Sequence, residues 1–178
     1  MTERTTVHHT ETLYQGRVFR LVRERVTLAN GTTTDLDVIR HPGAAAVVPF
    51  LDADTVLLLR QYRHAVGETI WEIPAGTLEP PESAEDCARR ELTEETGYRA
   101  GKWRRLGPLL PLPGYADERI TLFAAADLTP ADQRLDADEV LTVQPVPVKT
   151  ALEMIGAGEI IDGKTIVGLY RAAMAGPR

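Results

Sequence analysis

Between Gly76 and Gly97 the sequence sets two glutamates where a helix would bury small side chains. Ser83, with Asp86 three residues later, forms a capping pattern after Pro80-Pro81, and Gly97 supplies the stop. The spacing predicts a helix from about Ser83 to Thr96. At about 100° per residue, Ala84, Ala88, Glu91 and Glu95 share one narrow stripe. Cys87 and Leu92 flank it, and Glu85, Asp86, Arg89, Arg90, Thr93 and Thr96 occupy the other side. The small residues mark the face that packs on a sheet. Burying unpaired carboxylates there is expensive, and like charges one turn apart also repel. A divalent cation between Glu91 and Glu95 resolves both problems, because Mg2+ and Mn2+ favour oxygen ligands. The alternative is a solvated acidic face paired with Arg89 and Arg90.

The rest of the chain supplies a sheet for this helix. The runs 44–51 and 55–61 read as buried strands joined by an Asp52-Ala53-Asp54 turn. A short strand over Thr69–Ile73 ends at Pro74, and further strands are expected near 102–109, 119–126 and 140–146. Pro147 suits the first turn of a helix to about Ile155, and Asp162 caps a last helix over Lys164–Ala175. Upstream, the β-rich runs 17–28 and 32–40 flank Asn30-Gly31, a strong hairpin signal. His8-His9 reads as part of a tail. The expected fold is α/β: a mixed sheet between helices, with an N-terminal β-hairpin extension over 1–40 and the main domain over 41–178.

The helix belongs to a longer pattern. Gly76, five residues, Glu82 and seven residues precede Arg90-Glu91-Leu92-Thr93-Glu94-Glu95-Thr96-Gly97. This resembles the Nudix box, the signature of Nudix hydrolases, with Tyr98 at a final position that is usually aliphatic. Gln61-Tyr62-Arg63, Trp71-Glu72-Ile73-Pro74-Ala75-Gly76, Pro113-Gly114 with Glu118, and Gly158-Glu159-Ile160 with Asp162-Gly163-Lys164-Thr165 resemble the ADP-ribose pyrophosphatase branch. The similarity spans 13–173. It implies the Nudix α/β/α sandwich and Mg2+- or Mn2+-dependent hydrolysis of ADP-ribose to AMP and ribose 5-phosphate. Another nucleotide sugar, a flavin dinucleotide or a dinucleoside polyphosphate is the nearest alternative substrate. A ligand-sensing, non-catalytic Nudix domain is the remote one.

The resemblance also implies roles. Glu91 and Glu95 are the principal metal ligands, joined by the Ala75 carbonyl; Pro74 and Gly76 are expected to bend the backbone and leave that carbonyl outside any ladder. Glu94 assists through a metal-bound water, or simply pairs with Arg90 at i,i+4. Gly76, Glu82, Arg90 and Gly97 hold the loop on the helix. For the general base, Glu139 in the acidic loop Asp136–Glu139 is favoured, with Glu118 supporting substrate or metal beside Gly114. Arg63 is the candidate phosphate clamp, since its fork matches phosphate oxygens; Arg40 and His41 are weaker candidates. Trp71 and Tyr115 can stack on adenine or serve packing.

Charge and cysteine content narrow the remaining classes. With 20 Lys and Arg against 26 Asp and Glu, the net charge of −6 disfavours nucleic-acid binding. No apolar run is long enough to span a membrane, and the polar stretch Met1–Glu11 lacks the core of a signal peptide. One cysteine excludes an internal disulfide. A cytoplasmic enzyme follows as the expectation. The resemblance further suggests a homodimer covering Val18, Phe19 and Leu21.

Overall fold

The runs 44–51 and 55–61 both form strands, and the main sheets are arranged around them. The computed structural model describes residues 4–175; Met1–Glu3, the start of the polar N-terminal stretch, and 176–178 lie outside them. In chain order the elements are β1 (Thr6–Gln15), β2 (Arg20–Thr27), β3 (Thr33–Arg40), β4 (Ala44–Pro49), β5 (Thr55–Arg63), β6 (Glu68–Glu72), β7 (Ala75–Thr77), α1 (Ala84–Thr96), β8 (Tyr98–Leu109), β9 (Ile120–Pro130), β10 (Leu141–Pro147), α2 (Val148–Gly156) and α3 (Gly163–Ala175).

They fall into two units. The larger comprises Ala44–Leu109 and the described residues from Ile120 onward. It holds a four-stranded sheet, β7-β4-β9-β8, and an antiparallel three-stranded sheet, β10-β5-β6. β4 runs parallel to β9, and every one of its residues is buried. A strand covered on both faces needs a continuous apolar run, which Ala44–Pro49 provides. Successive residues serve opposite faces. Ala44, Ala46 and Val48 join Leu58, Leu122, Ala151 and Leu169 in one core. Ala45 and Val47 join Phe123, Ala125 and the α1 residues Cys87, Ala88 and Leu92 in the other. Helix α1 therefore covers one face while α2 and α3 cover the opposite one, giving the expected sandwich.

The smaller unit comprises the described residues up to Gly43 together with Leu110–Arg119. The β2–β3 hairpin turns at Asn30-Gly31, where Gly31 takes φ 83° and Thr32 N–H donates to Asn30 Oδ1 at 3.0 Å. A third strand, β1, pairs antiparallel with β2. It is exposed throughout, so no burial pattern marks it in the sequence. His8 and His9, expected in a tail, lie in β1. Ile39 N–H donates to the Tyr115 carbonyl at 2.8 Å, and Asp117 N–H to the Ile39 carbonyl at 3.1 Å, which ties 110–119 to β3. Val18 and Phe19 are exposed, whereas Leu21, expected with them, is half-buried in β2.

Candidate active site

Helix α1 starts and stops where its caps dictate. Ser83 Oγ accepts from Asp86 N–H at 3.1 Å and donates to Asp86 Oδ2 at 2.7 Å. Gly97 ends the helix at φ 71°, a left-handed conformation that suits glycine. Between these ends Glu91 is 8% exposed and Glu95 1%. The solvated-face alternative is thereby removed for this pair. Thr96, expected on the outer side, is buried as well, and its hydroxyl donates back to the Leu92 carbonyl. Cys87 is enclosed, and burial pushes its thiol up to about 12, which leaves it unreactive.

Backbone from β7 meets these carboxylates. Ala75 N–H donates to Glu95 Oε2 at 2.9 Å. Ala75 is not in a ladder-free loop as expected: it pairs in register with Ala46, next to the Gly76–Ala45 pair. Its carbonyl is spared all the same. Val47 N–H takes the preceding Pro74 carbonyl at 2.9 Å, so bonding toward β4 alternates past Ala75. Within a strand residue N–H and C=O share a side, so the Ala75 carbonyl faces the side where Glu95 lies. Gly76 is what lets Glu91 in. A Cβ built there would stand 1.6 Å from Glu91 Oε1.

Arg90 binds loop to helix. Its Nε and Nη2 reach Glu82 at 3.2 and 2.8 Å, Nη2 also reaches the Thr77 carbonyl at 3.2 Å, and Nη1 bridges Glu91 and Glu94 at 2.6 and 3.0 Å. Glu82 in turn accepts from Glu79 N–H at 2.9 Å. The i,i+4 pairing of Glu94 with Arg90 is thus formed.

Burial pushes the Glu91 carboxyl up to about 7; Arg90 opposes this, and the charges of Glu94 and Glu139 add to it. Glu95 lies well above the usual carboxylate range, first through burial and then through the charge of Glu91. Among the described residues no three His, Cys, Asp or Glu form a ready metal cage. Two crowded, desolvated carboxylates beside an Ala75 carbonyl nevertheless fit a hard divalent cation, since all three donors are oxygens.

Between about pH 4.5 and 7 the folded, metal-free protein binds more protons at Glu91 than the unfolded chain does. Stability therefore falls as pH rises through that window, and Glu95, raised in the same direction by burial and by Glu91, adds to the fall. The loss from Glu91 is on the order of 3 kcal/mol. Melting curves in chelator at pH 5 and pH 8 should show it, and Mn2+ should restore the melting temperature at pH 8. Equal melting temperatures at the two pH values, with no response to Mn2+, would contradict it.

A second cluster was not foreseen from the sequence. Glu72, 1% exposed, accepts Arg63 Nε at 2.7 Å, Arg63 Nη2 at 2.8 Å, and Lys164 Nζ. Lys164 also reaches Asp162 Oδ2 at 3.1 Å. Burial raises the Glu72 carboxyl, but Arg63 and Lys164 outweigh it and leave it below its ordinary value. Arg63 is therefore not a free clamp: Nε and Nη2 are both taken by Glu72. The only hints were Glu72 and Lys164 within the branch-like motifs.

The loop carrying Glu139 is bonded to the end of α1. Arg134 N–H donates to the Glu94 carbonyl at 3.0 Å, Gln133 Nε2 to the Glu95 carbonyl at 2.6 Å, and Ala131 N–H to the Gly97 carbonyl at 2.7 Å. These donors satisfy carbonyls that a helix end leaves unpaired. Glu139 Oε2 accepts from Asp136 N–H at 2.9 Å, and its charge reaches both Glu91 and Glu95.

The remaining candidates belong to the smaller unit. Arg40 is committed to Glu24 at 2.6 Å and Asp117 at 3.0 Å. His41 Nδ1 accepts from Gly43 N–H at 3.0 Å and stands 3.9 Å from Glu118 Oε1. A Cβ at Gly114 would meet open space, and Tyr115 is exposed. Trp71, in the larger unit, has the Arg60 guanidinium 4.8 Å over its ring.

The NUDIX domain profile matches residues 40–166. The chain belongs to the Nudix hydrolase family. This Nudix hydrolase is 38% identical to an ADP-ribose pyrophosphatase of Bacillus subtilis (strain 168) over 157 residues, 87% of this chain and 85% of the relative. It is 37% identical to a methanol dehydrogenase activator of Bacillus methanolicus over 162 residues, 90% of this chain and 88% of that one. A crystal structure of an ADP compounds hydrolase superposes with a TM-score of 0.84 at 22% identity, covering 97% of this chain and 94% of the other, which confirms the fold. No helix among the described residues of the Nudix hydrolase is long and apolar enough to cross a membrane.

Proposed function

We propose that this Nudix hydrolase cleaves the diphosphate of ADP-ribose to AMP and ribose 5-phosphate, with Mg2+ or Mn2+ held by Glu91, Glu95 and the Ala75 carbonyl. The observation that carries the reaction is the burial of Glu91 and Glu95 beside Ala75, an arrangement that is costly without a cation. The likeness to the Bacillus subtilis ADP-ribose pyrophosphatase over most of both chains supports the substrate. A bound divalent cation neutralises phosphate charge and acidifies water.

The side chains supply the rest. Glu139 accepts the proton of the attacking water as its oxygen bonds to phosphorus and the bridging P–O bond breaks. Glu94 orients that water while Arg90 restrains it. Arg63, its fork aimed by Glu72, offers Nη1 to a phosphate oxygen; Glu118, Gly114, Arg40 and His41 of the smaller unit are proposed as support for substrate or metal on the resemblance alone. Glu82, Arg90, Gly76 and Gly97 keep the loop and helix in shape. Glu139→Gln should lower kcat by about a hundredfold or more, the usual scale of general-base loss. Glu118→Gln should act mainly on KM. Near-normal kcat in E139Q would transfer the base to another residue.

The substrate is tested with a panel of ADP-ribose, other nucleotide sugars, a flavin dinucleotide and a dinucleoside polyphosphate. ADP-ribose should have the highest kcat/KM; a rank well below the others would sink the assignment and leave the family intact. The protein is proposed to act in the cytoplasm, without nucleic acid, as a homodimer formed through the N-terminal β-extension (1–40) beside the catalytic domain (41–178). A monomeric mass in gel filtration would remove the dimer.

A further inference from the structure

The start of α3 grips the segment that carries the Ala75 carbonyl. Four consecutive residues there, Glu72 to Ala75, are each held by a residue from another segment of the chain. Glu72 is taken by Lys164 and Arg63, Ile73 N–H by Thr165 Oγ1 at 2.9 Å, the Pro74 carbonyl by Val47 N–H, and Ala75 N–H by Glu95. Two of these grips come from neighbouring residues of one helix, Lys164 and Thr165. Both are organised by Asp162, whose Oδ2 accepts Lys164 Nζ at 3.1 Å, Thr165 N–H at 2.9 Å and Thr165 Oγ1 at 2.6 Å. Thr165 is 0% exposed, so its hydroxyl has no recourse to bulk water. One helical turn later, a Cβ at Gly168 would lie 2.9 Å from Ile73 Cδ1 and 3.2 Å from Val48 Cγ2, which shows how closely α3 is set against Ile73.

We infer that Asp162, Lys164 and Thr165 are positioning residues for the metal site, acting through Glu72 and Ile73 on the Ala75 carbonyl; this rests on the metal reading above. The link is short and stiff. Only Pro74 lies between Ile73 and Ala75, and proline locks one of its two backbone torsions. A shift of Ile73 therefore moves the Ala75 carbonyl and the N–H that orients Glu95. Partners one layer behind metal ligands typically set affinity by about 10- to 100-fold.

The test is the Mn2+ dissociation constant of the substrate-free protein, read by electron paramagnetic resonance, with kcat, KM and melting temperature recorded on the same samples. Thr165→Val should weaken Mn2+ binding about tenfold or more. Thr165→Ser, which keeps the hydroxyl, should return to within about threefold of the parent. Helix capping alone would lower the melting temperature of T165V and leave Mn2+ affinity unchanged, which would overturn the inference. Should T165V not fold, Asp162→Ala removes the same organiser from a partly exposed site, and unchanged affinity there overturns it equally. A parent protein that binds no Mn2+ would overturn the metal reading itself, a distinct result.

Discussion

Glu95→Gln should abolish turnover and yet raise the melting temperature of the metal-free protein at pH 8. The two effects have one cause. Glu95 is almost fully enclosed and faces Glu91 on the same helix stripe, so its ionised form is penalised by burial and by like charge. Glutamine keeps an oxygen that accepts the Ala75 N–H and removes the charge. The metal site loses an anionic ligand, and kcat should fall by about a thousandfold or more, equivalent to ~4 kcal/mol of barrier. The melting temperature should rise by a few degrees at pH 8 and by less at pH 5, because burial and Glu91 hold the native carboxyl above its ordinary range and it carries less charge as pH falls. Glu91→Gln should behave alike, with a smaller thermal gain because Glu91 also loses its bond to Arg90. A mutant less stable than the parent at pH 8 would show that the carboxylate is structural.

Gly76→Ala should also damage the site, by a different route. No rotation of a methyl relieves a contact of 1.6 Å to Glu91 Oε1, so Glu91 or the β7 backbone must move. Overpacking of this kind costs roughly 1–3 kcal/mol, and displacing Glu91 also displaces a metal ligand. Activity should drop by about a hundredfold or more, with weaker Mn2+ binding in the same titration. Gly156→Ala provides the comparison, because a Cβ there meets nothing within 4 Å. Its stability should hold or rise by up to about 1 kcal/mol, because alanine suits a helix better than glycine. Equal behaviour of the two variants would remove the steric argument.

What the sequence disclosed was local. The helix, its Ser83 and Gly97 caps, and the burial of Glu91 and Glu95 follow from a 3.6-residue period read over one segment. The strands at 44–51 and 55–61 follow from continuous apolar runs. What stayed hidden depends on pairings between distant residues. β1 is exposed along its whole length and is recognisable only by its partner β2. β7 is three residues long and exists through its register with β4. Glu72 meets Lys164, and Ile73 meets Thr165, across 92 positions of chain, so no spacing rule announces either bond. Arg63 was recognisable as a cation suited to phosphate, but its engagement with Glu72 was not. Thr96 sits on the polar side of an ideal helical wheel, yet the neighbouring structure covers it.

Metal-dependent hydrolysis is tested by chromatographic analysis of ADP-ribose incubated with the protein, in Mg2+ or Mn2+ and in excess chelator. AMP and ribose 5-phosphate should accumulate in equal amounts with either cation. Chelator should stop their formation, and restored metal should resume it. Turnover that persists in chelator, or consumption of ADP-ribose without AMP, would contradict a metal-dependent diphosphate hydrolase built on Glu91 and Glu95.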